Sequence, residues 1–381
     1  MESSVHSKMS ARSRALALLA AAAAAIAVVP ALVSDFVLLQ IAIKSLWLGI
    51  AGASLAFLIG QAGLISLAQT AVFGVSGYVM AILVLDHGWG EWFAVAVAAA
   101  AGPIAGLIVG VISRRAAGLY LMMLTLAIGV FVFFFAQQYQ PITRGHTGFN
   151  GFDAPTLFGI DLNDRRPLFY VTAVVAVAVV AGFRYVMATP AGLAYRGLRD
   201  NPKRLQALGY STEATTVSAF AVSGFAAGAG GVISVWYNGA ISPGSIDLTR
   251  TIELLIVVMI GGTLRIEGAF LGALAVTLLQ NYVSDFTNRT ETLVGAVFMV
   301  VVLVSRQGLT GILLGLGSRA QRALGWVRSR DSTLDRSVTD DSRRSPEHAS
   351  RTGQHAPSQQ QARRLPCETL ERDGRGEYSP P

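Results

Sequence analysis

Charge is absent from five long intervals of this chain, and that absence constrains its fold more than any other feature. No Asp, Glu, Lys or Arg occurs from Ser45 to Leu85, Trp92 to Ser113, Ala116 to Thr143, Pro167 to Phe183, or Ala214 to Ile246. A helix needs roughly 20 apolar residues to cross the hydrocarbon core of a bilayer, so each interval holds at least one span, or nearly so. Only 14% of the 381 residues are charged and 52% are hydrophobic, whereas soluble domains average about 25% charged. The expected fold class is an all-α integral membrane protein, a polytopic helical bundle of roughly 8–10 transmembrane spans.

The first span is expected over Ala15–Ser34, behind Lys8, Arg12 and Arg14. Its length and the lack of a small-residue cleavage site favour an uncleaved helix over a signal peptide. Further spans are predicted near Phe36–Leu58, Ala62–Leu85, Phe93–Ile112, Gly118–Gln137, Leu168–Met187 and Thr215–Trp236. Three shorter ones follow near Ile252–Leu264, Ala269–Val283 and Leu293–Val304. Three regions result: residues 1–34, a cytoplasmic N-terminus with the first helix; residues 35–305, the membrane domain; and residues 306–381. The last is rich in Ser, Arg, Gln, Asp and Pro, and reads as a disordered cytoplasmic tail that cannot bury enough apolar surface to offset its ordering entropy.

The net charge of +7 does not mark a nucleic-acid binder, because the cations collect in short loops and chain ends and not on one amphipathic face. They orient the chain instead. With the N-terminus and C-terminus both cytoplasmic, Arg114, Arg115, the Arg184–Arg204 segment, Arg265 and Arg306 fall inside, and the acidic loop Leu85–Trp92 falls outside. Arg144, Arg165, Arg166, Arg250 and Arg289 land outside, as exceptions.

Several chemistries lack their residues. The single Cys367 excludes an intramolecular disulfide and a cysteine metal cluster, and the five histidines include no H-x-x-x-H pair. No metal site, catalytic residue or bound cofactor is expected. The three lysines, Lys8, Lys44 and Lys203, do not follow glycine, so no phosphate-cradling G-x-x-x-x-G-K loop exists and this chain does not hydrolyse ATP by that route. The span interiors offer essentially no acid for proton or sodium coupling, with Glu253 at a span edge. Lys44 is the one charge deep in an apolar run; it serves a pathway or snorkels toward an interface.

Polar groups that do enter the spans cluster in Gly60–Tyr78, "GQAGLISLAQTAVFGVSGY". Gln61, Ser66, Gln69, Thr70 and Tyr78 are the candidate translocation-pathway residues, since glycine-interrupted helices with hydroxyls and amides can line a cavity. The competing reading is hydrogen bonding between helices, and the residues alone leave Gln69 and Thr70 open between the two. The glycines of "GLIVG", "GFAAGAGG" and "GGTLRIEGAFLGA" (Gly106–Gly110, Gly224–Gly231, Gly261–Ala273) are read as sites where helix backbones approach closely.

One charged island, Gly197–Thr216, stands between two of the most apolar runs. Asp200, Asn201 and Pro202 form a helix-start signal, and the following turn or two end at Gly209, a C-cap position. Leu205 and Leu208, three apart, are expected to share a face that a partner would bury.

Four stretches in order carry a resemblance to the permease subunits of branched-chain amino-acid ABC importers, specifically the longer of the usual two. They are Leu46–Leu83; Ala117–Ala127 with Thr143–Gly151; the island with its preceding residues, "AGLAYRGLRDNPKRLQALGYS"; and Ser242–Val276. The likeness covers about residues 35–305, with Gln69 where the family often has His.

The resemblance implies a permease domain with a cytoplasmic coupling loop at residues 188–213. Its Arg199, Asp200, Asn201, Pro202, Leu205, Ala207, Leu208 and Gly209 would form short helices docking in a groove of an ABC ATPase subunit, which hydrolyses the ATP. It further implies a second homologous permease, an extracytoplasmic solute-binding protein and an inner-membrane location. The implied function is translocation of Leu, Ile or Val, or of a related small polar solute. The rival reading is a stand-alone channel or facilitator for a solute such as urea or an amide.

Overall fold

The computed structural model describes residues 38–152, 156–157, 160–263 and 265–284, with the isolated positions 295 and 299. The spans expected at 15–34 and, for the most part, 293–304 lie outside the described residues, as does the tail at 306–381. Helix α1 (Lys44–Phe57) continues at both ends into π-helical turns, Leu38–Ile43 and Leu58–Ala62. It ends at Gly63, whose φ of 70° is left-handed, the conformation that most often closes a helix. Leu64 N–H then donates back to the Leu58 carbonyl at 2.9 Å.

That closure corrects one expectation. A single span over Ala62–Leu85 does not form: residues 63–68 are irregular and helix α2 begins only at Gln69 (Gln69–Leu85). The polar cluster therefore straddles a helix break, with Gln61 and Ser66 at the break and Gln69, Thr70 and Tyr78 on α2.

The remaining helices longer than about one turn are α3 (Glu91–Ser113), α4 (Gly118–Gln138), α5 (Arg165–Ala188), α6 (Pro190–Asp200), α7 (Pro202–Ala207), α8 (Thr212–Asn238), α9 (Leu248–Gly261) and α10 (Gly268–Ser284). Of these, α3, α4, α5 and α8 follow the charge-free intervals, with ends displaced by a few residues. Gln40–Ala62, α3, α4, α5 and α8 are long and apolar enough to cross a membrane; α2 is a shorter apolar helix. Beside the helices stand two small antiparallel pairs absent from the sequence reading. Strand β1 (Phe149–Asn150) pairs with β4 (Ala240–Ile241), and β2 (Thr156–Leu157) pairs with β3 (Ile160–Asp161).

Helix α8 packs against α1, α2 and α3. Its most extensive contact is with α3, where Gly102 and Gly106 face Gly224 and Gly228. A Cβ on Gly102 would lie 2.5 Å from the Gly224 carbonyl oxygen, and one on Gly228 2.9 Å from Gly102 Cα. Only hydrogen fits between such backbones, which is how helices in lipid gain van der Waals contact without a hydrophobic drive. Glycines do the same where α9 meets α10: Cβ atoms on Gly261 and Gly272 would overlap the carbonyls of Gly268 and Val257. The reading of the glycine runs as close-packing sites holds.

Cross-chain contacts sort the connections onto two faces. On one, Glu213 pairs with Arg114 and Arg115, Arg184 with Glu267, and Arg199 with the Gly60 carbonyl. On the other, Arg144 pairs with Asp86 and β1 pairs with β4. This division is the one obtained by alternating the spans. It also accounts for two of the exceptions in the cation layout: Arg144 is held by Asp86 and stacks over Phe149 at 4.6 Å, and Arg250 is held by Glu253.

Candidate functional site: a charged cavity and a docked loop

The C-terminal end of α8 and the N-terminal parts of α1, α2 and α9 line a cavity of about 350 Å³. That lies at the small end of the range of ligand pockets, about 300–1,000 Å³. Its apolar wall includes Trp47, Phe73 and Leu254. Trp47 holds the wall together, tilted against Phe73 at 5.8 Å and Tyr237 at 6.1 Å between ring centroids. Asn150 and Ala240, in the β1–β4 pair, belong to the lining as well.

The charged lining residues sit on the same helices, Lys44 one turn before Trp47 on α1 and Arg250 one turn before Leu254 on α9. Lys44 Nζ donates to Gln280 Oε1 at 3.0 Å, and Gln280 Nε2 donates to Glu253 Oε1 at 2.8 Å. Arg250 meets the other carboxylate oxygen of Glu253 at 2.7 Å. This chain ties α1, α10 and α9 together. Through it the Lys44 ammonium turns toward α10 and lines the cavity. The same links show that Glu253 is more than an edge residue, with a side chain only 12% exposed.

Of the candidate pathway residues, Thr70 alone lines this cavity. Its hydroxyl shares a 2.6 Å hydrogen bond with Thr251 of α9. Gln69 is buried away from it and donates to the Ser223 hydroxyl, which in turn donates to the Ser54 carbonyl at 2.8 Å. Gln69 thus knits α2, α8 and α1, the helix-bonding alternative. Ser66 accepts from Ala68 N–H within the break, and Gln61 sits at the end of the π-turn. Tyr78 is buried edge-on to Phe149 at 6.3 Å, its hydroxyl without a partner among the described residues.

Sequence reasoning missed Arg250, Glu253, Gln280, Trp47 and Tyr237. Two signals pointed there: Lys44 as the one cation in an apolar run, and Arg250 as an exception in the cation layout with an acid three residues on.

The island lies at the opposite end of α8. At about 1.5 Å per residue, the 27 residues of α8 put the two sites on the order of 40 Å apart. Asn201 caps α7, its side chain accepting from Arg204 N–H at 3.0 Å, and Pro202 occupies the first turn. Gly209, with φ of 87°, takes the left-handed position after the helix. Leu205 and Leu208 do not share a face. Leu205 is 4% exposed and packs on Gly197, while Leu208 is 71% exposed. Leu208 is the C-cap residue past the end of α7, so the helical three-residue spacing does not carry it onto the face of Leu205. Ala207 is exposed, and Asp200 is paired with its neighbour Arg199 at 3.0 Å. Arg199 also anchors the segment to the helix break: its guanidinium donates to the Gly60 carbonyl and its Cγ would lie 2.7 Å from a Cβ on Gly63.

The fold and site are those of a polytopic helical bundle with a small mixed-charge cavity toward one end of α8 and a helical loop at the other. Residues 37–305 match the family described as branched-chain amino acid transport system / permease component, and the chain belongs to that family. It is 25% identical over 283 residues to the high-affinity branched-chain amino acid transport system permease protein LivM of Escherichia coli K12. That match covers 68% of this chain and 67% of the relative. The LivM protein of Salmonella typhimurium LT2 is 25% identical over the same shares. The probable branched-chain amino acid transport permease protein LivH of Methanocaldococcus jannaschii is 26% identical, over 62% of this chain and 80% of its own length. The chain is thus a multi-pass membrane protein of a transport-permease family and not of an enzyme family.

Proposed function

We propose that this chain is one membrane-spanning subunit of an ABC importer that moves branched-chain amino acids inward. It works beside a second homologous permease, with separate ABC ATPase subunits at its cytoplasmic face and a solute-binding protein on the other. The chain itself binds no cofactor; the ATP is hydrolysed by the partner. The face carrying α6 and α7 is the cytoplasmic one, as the cation layout favours.

The observation that carries the reading is the construction of residues 188–213. Short helices with side-chain and glycine caps present an exposed Leu208 to the outside, while Arg199 ties them to the broken end of α1. A load applied at Leu208 is thereby delivered to the helix break beside the buried Gln69–Ser223 contact.

Two variants test this. Gly209→Pro imposes φ near −65° where the chain has 87°, and removes an N–H that donates to Gln206. Leu208→Asp puts a charge on the surface that the ATPase would bury, at a cost of several kcal/mol in a closed interface. Both are expected to leave membrane levels near normal, to lower leucine uptake severely and to weaken co-purification of the ATPase. Wild-type uptake with the ATPase retained would make the segment a plain loop, and uptake that persists without ATP would favour the facilitator.

A further inference from the structure

Lys44 is the most demanding residue in the cavity. It carries a charge inside a membrane-length helix, and its hydrogen-bond partner is a neutral amide. Among the described residues it makes no ion pair within 4 Å, whereas Arg250 and Glu253 satisfy one another. Two cations and one carboxylate therefore face one small space. A charge inside a bundle is costly unless paired, and such residues mark ligand pathways more often than scaffolds.

The bridging amide shows what would fit. Gln280 offers an acceptor to Lys44 and a donor to Glu253. An α-amino acid carries the same polarity on adjacent carbons, as a carboxylate for Lys44 and an ammonium for Glu253. Glu253 has acceptor capacity left, because an ionised carboxylate offers about four lone-pair sites. Trp47, Phe73 and Leu254 line the same cavity beside these charges, and the Trp47 indole N–H is buried with no partner among the described residues.

We propose that this cavity is a transient binding site for a zwitterionic aliphatic amino acid, with Lys44 on its carboxylate, Glu253 on its ammonium and the side chain against Trp47, Phe73 and Leu254. The site lies within this subunit. The inference rests on the amino-acid import reading above and assigns it a place. A neutral solute such as urea would have no use for the separated charges.

The test measures binding of radiolabelled L-leucine to the assembled permease–ATPase complex in nanodiscs, without the solute-binding protein, so that only membrane-domain selectivity is read. On the wild-type complex, 4-methylpentanoate lacks the ammonium and 3-methylbutylamine lacks the carboxylate. Each is expected to compete about tenfold or more weakly than leucine. Lys44→Met is expected to weaken leucine binding by a similar factor, and Lys44→Arg to restore most of it. In Glu253→Gln, leucine should lose its advantage over 4-methylpentanoate. If both half-ligands compete as well as leucine on the wild type, the site is wrong, whatever the variants do. If leucine uptake in proteoliposomes supplied with the binding protein is intact in Lys44→Met and Glu253→Gln, the import reading stands and this site falls. If the wild-type complex imports urea and no leucine, both fall together.

Discussion

Helices α4 and α8 are both long, apolar and free of charge in their interiors, yet the protein uses them in opposite ways. Helix α4 is the most apolar of the five membrane-length helices and the least packed, with 22% of its apolar stretch buried. Helix α8 is the least apolar of the five, and 67% of its stretch is buried. Large side chains of α4 such as Tyr120, Met123 and Phe131 are exposed. The buried side of α8 also holds Phe220, Ile233 and Trp236 but is rich in Gly, Ala and Ser, and its glycines lie on the backbones of α3 and α2. In water the greasier helix would be the buried one. In lipid the hydrocarbon already solvates Phe and Leu, so protein–protein contact goes to helices whose small residues let backbones meet.

Three substitutions, from the largest effect to the smallest, can break or sharpen that contrast. Gly228→Leu forces a branched side chain into a seam where even a Cβ would be 2.9 Å from Gly102 Cα. It should destabilise the bundle by about 3 kcal/mol or more, seen as loss of folded protein in membranes and a lower thermal midpoint in detergent. Tolerance of this change would mean that the α3–α8 seam does not organise the bundle.

A smaller effect is expected at Gln69→Leu. The variant loses the bond to Ser223, but Ser223 keeps its own bond to the Ser54 carbonyl, so no donor is orphaned. Hydrogen bonds between membrane helices average about 0.6 kcal/mol, and the chemical-denaturation midpoint should move by about that much. A collapse of transport with little change in stability would return Gln69 to the pathway.

The least effect belongs to Phe131→Leu on α4, where the side chain is 70% exposed. Stability of the isolated chain should stay within about 0.5 kcal/mol of wild type. Unchanged stability with weakened pairing to the second permease would show that this face meets protein and not lipid.

Much of the architecture was legible because it rests on one-dimensional rules. A bilayer sets the length of a span and tolerates few charges in it, so charge-free intervals mapped onto helices α1 to α5 and α8, and the shorter apolar runs onto α9 and α10, with modest end errors. The single failure among the described spans came at Gly63. Hydropathy cannot see a left-handed glycine, and the residues after it are as apolar as a helix. Caps are similarly local: Asn201, Pro202 and Gly209 announced α7 because each acts within a few residues of itself. The direction of Leu205 was not legible, since it depends on Gly197 leaving room beneath it.

The candidate site divides along the same line. Lys44 stood out by itself, as a cation where none belongs. Its hydrogen-bond partner is 236 residues away, and Gln280 reaches Glu253 across another 27. No periodicity or spacing encodes such a meeting. It exists because α9 and α10 pack at Gly261, Gly268 and Gly272, and α1 meets both at Gly52, closely enough for three side chains to touch. What the sequence by itself determined was which segments enter the membrane, where the loops fall and how short helices begin and end, since each follows from local solvation and backbone chemistry. What only the tertiary structure decided was which polar residues face the cavity and which merely join helices. That choice turns on backbone approach between distant segments, and its free energy lies in pair contacts that no single stretch of chain contains.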